Sequence, residues 1–383
     1  MRKILIAGPF GDYGGRDVEA NIIARSLEYD FEVAILSTSY MTKNSFALLG
    51  LKNTPWKSIP KELYEKYFIL RCLSWLSKKI NKGSNESYGY LLNSFSKKVV
   101  EIDKLYLKEL KKEVGQTDIV ILCVQLTTKF LKEIVLYCHE KNIPCIIRTT
   151  GTIREVKAED FDFLRKVSLF IHHSEANANN LNKQLQLPYT VIDQCALSEK
   201  VLFKNKRLLK KPYRFGYLGR LSEEKGIVPI SRYFSNTDFP FLIAGDGYQK
   251  KEVLDCINEK SNCKYIGLVS NDQIDLFFKQ IDVLIIPSFE ESGPLVGLEA
   301  MAAGKLIVST KVGAMQERLK GIKSFWFTIE NVSSLETCIE AINSLTENEF
   351  RQISLQIQER YKSKYSTEAI ASNYKVALQN IRS

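Results

Sequence analysis

Long apolar runs, paired cysteines and histidines are scarce in this sequence, and each scarcity excludes a class of protein. No apolar run in the 383 residues approaches the ~20 residues that a membrane-spanning helix needs, and the opening MRKILIAG is too short for a signal peptide. The eight cysteines include no CxxC pair, which favours reduced, cytosolic thiols over a disulfide frame. The three histidines are not spaced with the cysteines as zinc ligands. We therefore expect a cytoplasmic protein without a metal.

Positive charge is in excess. The chain has 54 Lys and Arg against 44 Asp and Glu, a net charge of +10. This balance favours anionic partners, such as nucleotide phosphates or an acidic membrane face, although solubility is a plainer explanation. No nucleic-acid-binding motif accompanies the charge, so we do not expect nucleic acid as a partner.

The first half opens with a strand, a glycine loop and a helix. Strand 3–8 (KILIAG) leads into GPFGDYGG, and a helix is predicted over 17–27, an order typical of nucleotide-binding α/β domains. A dinucleotide site is excluded because the glycines do not fall as GxGxxG and the next strand, 31–37, ends without an acidic residue. The loop either lets a ligand approach its backbone or is a plain tight turn.

Residues 40–115 interrupt this alternation with a basic, aromatic segment. The spacing of Leu63, Tyr67, Leu70, Leu73 and Leu76 predicts one helix with an apolar stripe, and a second helix is predicted over 90–112. The segment is either a helix packed on the domain with a solvated basic face or a surface for anionic lipid.

Polar residues follow the next predicted strands. Strand 144–149 ends in Arg148-Thr149-Thr150-Gly151, and strand 167–172 ends in His172-His173-Ser174. Ligands bind at the strand ends of open α/β sheets. The Asp160-Phe161-Asp162 triplet resembles a metal-binding DxD, but its charged surroundings favour a solvated helix start. The two histidines are interpreted as ordinary strand-end residues, with a metal pair as the alternative.

A basic linker, KNKRLLKKP, separates the two halves, and a second series of strands and helices follows it. Strands are predicted over 214–218, 241–244, 264–267, 281–286 and 305–310. Short strands alternating with helices predict a parallel sheet covered on both faces. We therefore predict an α/β protein of two domains, 1–200 and 201–365, with 366–383 packing back on the first.

The stretch Pro287–Gly304 (PSFEESGPLVGLEAMAAG) carries the clearest chemistry. Pro294 suits the first position of a helix, with Gly293 or Ser292 as its cap, and Gly304 suits the position past its end. The free amides of Leu295 and Val296 would then form a phosphate site. Glu291 and Glu299 lie on either side of it, and carboxylates there suit sugar and ribose hydroxyls.

Two cations lie on the first loop of the second domain, in GRLSEEKG. Arg220 offers a fork of donors and Lys225 a point charge, and both heads can converge on one diphosphate. A turn with solvated charges is the alternative. A glutamate pair and a helix start at neighbouring strand ends favour the binding site.

The second half resembles the family 4 retaining glycosyltransferases. The segments GRLSEEKG, IAGDGYQKKEVL, YIGLVSNDQI, IDVLIIPSFEESGPLVGLEAMAAGKLIVST and VGAMQE follow that family's order and spacing over residues 213–320. The first half is similar only through Gly14-Gly15 and Ser174-Glu175. The resemblance implies the GT-B fold: two Rossmann-like domains facing across a cleft, with a C-terminal helix, 367–380, crossing back to the first.

The resemblance also implies a role for each matching residue. Arg220 and Lys225 would hold the donor diphosphate, Glu299 the ribose hydroxyls and Glu291 the donor sugar. The backbone of Leu268-Val269 would meet the base, and Gly15 would let its amide approach the phosphate or acceptor side. The implied reaction is sugar transfer from a nucleoside diphosphate sugar, with UDP favoured, without cofactor or metal.

The chain departs from the family pattern at three places. The histidine that the family usually has after strand 144–149 is missing, and Thr149 or Thr150 is the candidate substitute. Together with His173, these two threonines are predicted to lie on the acceptor side of the site. Asp193-Gln194-Cys195 stands where the family has Pro-Asn-Gly, and Gly293-Pro294 replaces an aromatic-glycine pair. A nucleotide-sugar-binding protein without catalysis, and an epimerase or phosphorylase of the same fold, remain alternatives. The basic, aromatic segment 56–82 suggests a saccharide or lipid-linked saccharide acceptor at the inner membrane face, as in bacterial polysaccharide assembly.

Overall fold

The chain forms two compact α/β units. The structure, a computed structural model, describes residues 1–153, 158–205, 211–257, 262–379 and 381. The first unit consists of 1–172, 178–192 and 371–383, and the second of 173–177 and 193–370. The predicted linker lies largely outside the described residues.

The first unit contains a parallel sheet because its strands are apolar on both faces and each is followed by a helix or long connection. Within the described residues the strand order is β3-β2-β1-β4-β5-β6-β7. The strands are β1 Lys3–Gly8, β2 Glu32–Ser37, β3 Trp56–Ser58, β4 Ile119–Val124, β5 Cys145–Thr149, β6 Leu169–His172 and β7 Tyr189–Val191. The strands predicted near 3–8, 31–37, 144–149 and 167–172 are confirmed to within two residues.

Helices cover this sheet. They are α1 Gly15–Leu27, α2 Ile59–Lys66, α3 Phe68–Ile80, α4 Ser94–Val99, α5 Ile102–Val114, α6 Leu131–Glu140 and α7 Glu175–Leu185. Short 3₁₀ turns occupy Phe46–Leu48, Ser87–Tyr90 and Ala158–Lys166.

Two predicted helices of residues 40–115 are wrong. The single helix predicted from the spacing of Leu63 to Leu76 is divided into α2 and α3 at Tyr67, whose backbone is extended with φ −115° and ψ 110°. The predicted helix 90–112 is replaced by a 3₁₀ turn, α4 and α5. Asn93 caps α4 by accepting a hydrogen bond from the Ser96 amide at 2.8 Å, and the extended Val100 ends that helix. Local capping therefore outweighs the apolar periodicity here.

The second unit repeats the design with a parallel sheet in the order β10-β9-β8-β11-β12-β13 within the described residues. Its strands are β8 Phe215–Leu218, β9 Phe241–Ala244, β10 Cys263–Tyr265, β11 Val283–Ile286, β12 Leu306–Ser309 and β13 Phe325–Trp326. Its helices are α8 Glu199–Leu202, α9 Ile227–Phe234, α10 Lys250–Ile257, α11 Ile274–Gln280, α12 Leu295–Ala302, α13 Met315–Arg318, α14 Val332–Ser344 and α15 Glu347–Lys364, with 3₁₀ turns at Glu223–Lys225 and Asn271–Gln273. The last helix, α16 Thr367–Gln379, belongs to the first unit from residue 371 onward. Each unit has its own apolar core.

The end of the chain is anchored inside the first unit by a buried polar group. The Tyr374 hydroxyl, on α16, donates a hydrogen bond to Glu19 Oε1 at 3.0 Å. The same carboxylate pairs with Arg148 Nε at 2.9 Å, and both side chains are inaccessible to solvent. The Glu19–Arg148 ion pair and the Tyr374 hydroxyl thus join α1, β5 and α16.

Candidate functional site

The start of helix α12 lies after β11, at the carboxyl edge of the second sheet. Pro294 has φ −60° and ψ 115° and precedes the helix, so its prediction as the first helical residue is wrong by one position, and it takes the capping place predicted for Gly293 or Ser292. The Gly297 amide donates to the Pro294 carbonyl at 3.1 Å, whereas the first two amides, of Leu295 and Val296, have no intrahelical acceptor. The predicted anion site is therefore geometrically available. Gly304, with φ +63°, follows the helix as predicted.

The loops around this helix start are held by contacts between backbones. Gly226 has φ +63°, and a Cβ there would lie 2.2 Å from the Pro287 carbonyl oxygen. Gly313 has φ +49°, and a Cβ there would lie 2.4 Å from the Ser292 carbonyl oxygen. Only glycine combines this conformation with so close an approach. Three loops are thereby fixed against each other beside α12.

Lys225 and Glu291 form an ion pair across two of these loops. Their side chains are about one-fifth exposed, so the pair is shielded from solvent on most sides yet can be reached by a ligand. The sequence predicted both residues in the site but assigned them to different parts of the ligand. The structure brings them into direct contact.

Arg220 extends into solvent, with 72% of its side chain exposed. Its nearest described carboxylate is Glu224, 3.9 Å away. That carboxylate accepts a hydrogen bond from Ser222 Oγ at 2.6 Å, which lowers its pKa. Since the exposed pair at this distance is weak, Arg220 can turn towards a bound anion at little cost.

Glu299 is buried on α12. Its carboxyl group makes no hydrogen bond to any described residue, and burial raises its pKa to about 7. A carboxyl group that is largely removed from water and lacks a donor among the described residues is suited to accept hydrogen bonds from the hydroxyl groups of a ligand. This is the strongest indication in the second unit that a hydrogen-bonding ligand belongs beside α12.

Arg318, which was not predicted from the sequence, holds the end of the loop that precedes α12. It is fully buried and binds both carboxylate oxygens of Asp193, with Nε 2.8 Å from Oδ2 and Nη2 2.7 Å from Oδ1. Its Nη1 donates to the Pro294 carbonyl at 2.6 Å. The charge of Asp193 raises the pKa of Arg318 against the opposing effect of burial. Asp193 appeared in the sequence only as a departure from a family triplet, so its partner was not predictable.

Gly293 lies close to the side chains of Arg318 and His173. A Cβ there would lie 3.1 Å from Arg318 Nη2 and 3.7 Å from the His173 Cβ. His173, predicted on the acceptor side, is buried within the second unit beside this loop. Leu268 is 76% exposed and Val269 is half-buried, so this segment lies at the surface, and its contact with a base stays a prediction.

In the first unit, Gly15 is the first residue of α1 and has open space around it, since a Cβ would meet no atom within 4 Å. The Gly11 amide donates to Asp17 Oδ1 at 2.8 Å, which fixes the preceding glycine loop. A ligand can thus approach the exposed α1 start, and its role stays a prediction.

Thr149 ends β5 and Thr150 follows it, as predicted. The Thr149 hydroxyl lies 2.9 Å from His172 Nδ1. Burial, and then the charge of Arg148, lowers the pKa of His172 to about 4. The hydroxyl of Thr150 and Nε2 of His172 are buried without a hydrogen-bond partner among the described residues. Unsatisfied polar atoms at strand ends mark a place for water or ligand. From the sequence, His172 was interpreted as an ordinary strand-end residue, with a metal pair as the alternative.

The candidate metal-binding positions of the sequence form no metal site among the described residues. Asp162 pairs with Arg165 at 2.9 Å on the surface, while the side chain of Asp160 lies outside the described residues. No cluster of three or more metal-ligating side chains occurs in the part of the chain that the structure describes. None of the described helices is long and apolar enough to cross a membrane.

Residues 198–368 match the family model described as "Glycosyl transferases group 1". The chain is 32% identical over 182 residues to a lipopolysaccharide 1,2-N-acetylglucosaminetransferase of Salmonella typhimurium, an alignment that covers 43% of this chain and 47% of that protein. The chain spans about half the length of the curated relatives it matches.

Similarity to solved structures extends over the whole chain. The structure of Anabaena Alr3699/HepE in complex with UDP and glucose matches with a TM-score of 0.69 and 16% identity, covering all of both chains. The apo form of the lipopolysaccharide outer core galactosyltransferase WaaB matches with a TM-score of 0.66 and 16% identity, covering 98% of this chain and 99% of that one. The predicted fold class, two Rossmann-like α/β domains of the GT-B kind, is confirmed.

Proposed function

We propose that this protein is a family 4 retaining glycosyltransferase that moves a sugar from a nucleoside diphosphate sugar, with UDP as the nucleotide, to a saccharide or lipid-linked saccharide. The proposal rests on three features around the start of α12. They are the two backbone amides without an intrahelical acceptor, the Lys225–Glu291 ion pair and the Glu299 carboxyl group, which has no donor among the described residues. The reaction would take place in the cytoplasm, in bacterial lipopolysaccharide or capsule assembly.

The donor would bind with its diphosphate at the amides of Leu295 and Val296. Lys225 would exchange part of its contact with Glu291 for the diphosphate, and Arg220 would turn in from solvent. Glu291, released from full pairing, would accept hydrogen bonds from the sugar hydroxyls. Glu299 would accept hydrogen bonds from the ribose, satisfying a buried group that the free protein leaves without donors.

Transfer would proceed on the face from which the diphosphate leaves. The bond from the anomeric carbon to the phosphate oxygen breaks, a bond to the acceptor oxygen forms, and the acceptor proton passes to the departing diphosphate. Negative charge grows on that diphosphate, where Arg220, Lys225 and the helix amides stabilise it. One such preorganised donor typically lowers a barrier by about 3–4 kcal/mol. Because cations and amides of the chain serve this purpose, we propose that no metal is needed.

The relatives support the substrate classes. One relative is named for transfer of N-acetylglucosamine onto lipopolysaccharide, and one neighbour was solved with UDP and glucose. UDP-sugars as donors and saccharides as acceptors are therefore the first substrates to test.

Melting temperature measured with a panel of nucleotides and nucleotide sugars tests the donor, since a ligand that binds only the native state raises it. We expect the largest rise with UDP and UDP-sugars, and a larger rise with GDP would replace UDP in the proposal. Sugar transfer to saccharide acceptors is then followed by NMR, which reads the anomeric configuration of the product. Inversion would contradict the retaining mechanism, and loss of transfer in EDTA would contradict metal independence.

The same assay separates the alternatives. Binding of a UDP-sugar without transfer to any acceptor favours a binding protein without catalysis. Sugar release that depends on free phosphate favours a phosphorylase. Conversion of one UDP-sugar to its epimer without an acceptor favours an epimerase.

A further inference from the structure

Helix α3 packs on its own unit with its more polar side. The residues that it buries are Leu70, Ser74 and Ser77. Two of these three are serines, and the Ser74 hydroxyl satisfies itself by donating to the Leu70 carbonyl at 2.6 Å. The apolar stripe predicted from the sequence included Leu73 and Leu76. Leu73 is half-buried and Leu76 is exposed, so the second half of the stripe does not face the core of the unit.

The opposite side of α3 is apolar and faces outward. Its exposed residues are Phe68, Ile69, Cys72, Trp75, Leu76 and Ile80. Phe68 is 74% exposed, Trp75 50% and Ile80 59%. At 100° per residue they cover an arc of about 140°, the width that a surface helix normally turns towards a core. This orientation is the reverse of the usual one and leaves a contiguous apolar face without a partner among the described residues.

Basic residues surround and interrupt this face. Segment 68–82 contains Arg71, Lys78, Lys79 and Lys82 and no acidic residue. Lys79 projects from the middle of the apolar arc, and its ammonium group lies 3.9 Å from the centroid of the Trp75 ring. A long cationic side chain over an indole, above an apolar surface, is the arrangement of an interfacial helix whose charge reaches towards the headgroups.

The neighbouring helix extends the same character. Helix α4 packs against α3, and Val99 at its end is 57% exposed. Lys97 and Lys98 lie in its last turn. The apolar face with its basic border therefore belongs to a surface of two helices, defined here by residues 68–82 and 97–99.

We propose that this α3–α4 surface docks on an anionic lipid bilayer, with Phe68, Trp75 and Ile80 entering the headgroup region. Two terms favour lipid over a second copy of the chain. The apolar arc gains from burial at the acyl boundary, and uncompensated lysines gain from an anionic surface. In a symmetric pairing of two copies the same lysines would face each other and repel. The docking requires no sugar transfer, so it stands or fails separately from the proposed reaction.

Vesicle co-sedimentation tests the charge contribution. The full chain is mixed with phosphatidylcholine vesicles that contain or lack about one-third phosphatidylglycerol. We expect binding only to the anionic vesicles. The variant Lys78→Gln/Lys79→Gln/Lys82→Gln should reduce the partition coefficient on the order of 100-fold, since each basic residue near an anionic surface contributes about fivefold. The matched control Lys43→Gln/Lys52→Gln/Lys132→Gln removes the same charge from exposed positions elsewhere in the first unit and should have a much smaller effect.

A second pair of variants tests the apolar contribution. Trp75→Ser/Leu76→Ser should reduce vesicle binding at least tenfold, including at 0.5 M salt, where charge is screened. Tyr29→Ser/Leu136→Ser, at exposed positions of the same unit, should bind like the parent. The side chains replaced in these two variants are exposed, and circular dichroism checks that each variant is folded.

Brominated acyl chains supply a readout of depth. We expect them to quench the fluorescence of Trp75 in the parent protein and to quench little in Trp75→Phe, which retains Trp56 and Trp326. Three results would overturn the proposal: no binding of the parent to anionic vesicles, equal loss in the charge variant and its control, or no quenching specific to Trp75. Light scattering that shows a dimer dissociated by Trp75→Ser/Leu76→Ser, without vesicle binding, would assign the face to a second copy instead.

Discussion

In the absence of a ligand, burial destabilises the ionised form of the Glu299 carboxyl group. Burial raises its pKa to about 7 from an ordinary value of 4.5, because no described donor compensates its lost hydration. A carboxyl group with a raised folded-state pKa stabilises the protein below its unfolded pKa, and this contribution is lost as the pH rises through the folded pKa. A ligand that donates hydroxyl hydrogens should therefore bind best where the group is ionised.

We predict that replacing Glu299 by Gln removes this pH dependence. Between pH 4 and pH 8 the parent should lose, relative to Glu299→Gln, on the order of 3 kcal/mol of unfolding free energy. Urea unfolding at a series of pH values measures the difference, with Glu330→Gln at an exposed position as the control. Parallel pH profiles for parent and Glu299→Gln would show that burial does not raise the pKa of this carboxyl group.

The contacts of Arg220 and Glu291 predict different effects of their replacement. Arg220→Ala should weaken UDP-sugar binding, since its exposed guanidinium is available for the diphosphate. Glu291→Gln should bind the nucleotide about as well as the parent but lose at least 100-fold in transfer, because an amide binds the sugar hydroxyls less strongly than a carboxylate. Calorimetric titration with UDP and the transfer assay separate the two. Unchanged transfer in Glu291→Gln would remove that residue from the mechanism.

The buried pair of Arg318 and Asp193 should be costly to break from one side. Arg318→Met leaves the Asp193 carboxylate buried without its cation, and we expect a loss of about 3–5 kcal/mol of unfolding free energy. The double variant Arg318→Met/Asp193→Leu should recover much of that loss, since both charges are gone. Urea unfolding of the parent, Arg318→Met, Asp193→Leu and the double variant measures the coupling. Additive losses would mean that the two residues act independently.

At the scale of elements, the loops beside α12 depend on backbone contact. Gly226→Ala would place a methyl group against the Pro287 carbonyl as well as straining a positive φ, and should abolish UDP-sugar binding. Gly321→Ala is the matched control, because Gly321 has φ +79° in the same unit but no atom within 4 Å of a Cβ. The control should lose only about 1–2 kcal/mol of stability from backbone strain and bind normally. Equal binding losses would assign the effect to strain alone.

The elements show which features could be predicted from the sequence. Continuous apolar runs such as VLII in β11 are buried on both faces, so their strands, and the helix start after them, were predicted to within a few residues. The direction in which α3 faces was not predictable, since periodicity shows that a helix has an apolar side but not what that side contacts. The Arg318–Asp193 pair was missed because 125 residues separate its members, and neither lies in a local motif.

At the scale of the whole molecule, the two units have separate cores. We predict that differential scanning calorimetry of the full chain resolves two transitions. Tyr374→Phe removes a hydroxyl that donates to the buried carboxylate of Glu19, and should lower one transition on the order of 5 °C. A UDP-sugar should raise the other transition in the parent. A single transition shifted by both changes would show that the units unfold together.

The hydroxyl of Tyr374 reaches a partner 355 residues earlier in the chain, and this fixes an order of events during synthesis. Glu19 and Arg148 are synthesised before the Tyr374 hydroxyl that completes their buried group. Residues 193–370 of the second unit are contiguous and precede it. Until α16 is synthesised, α1 and β5 therefore hold a charged pair that lacks its hydroxyl donor.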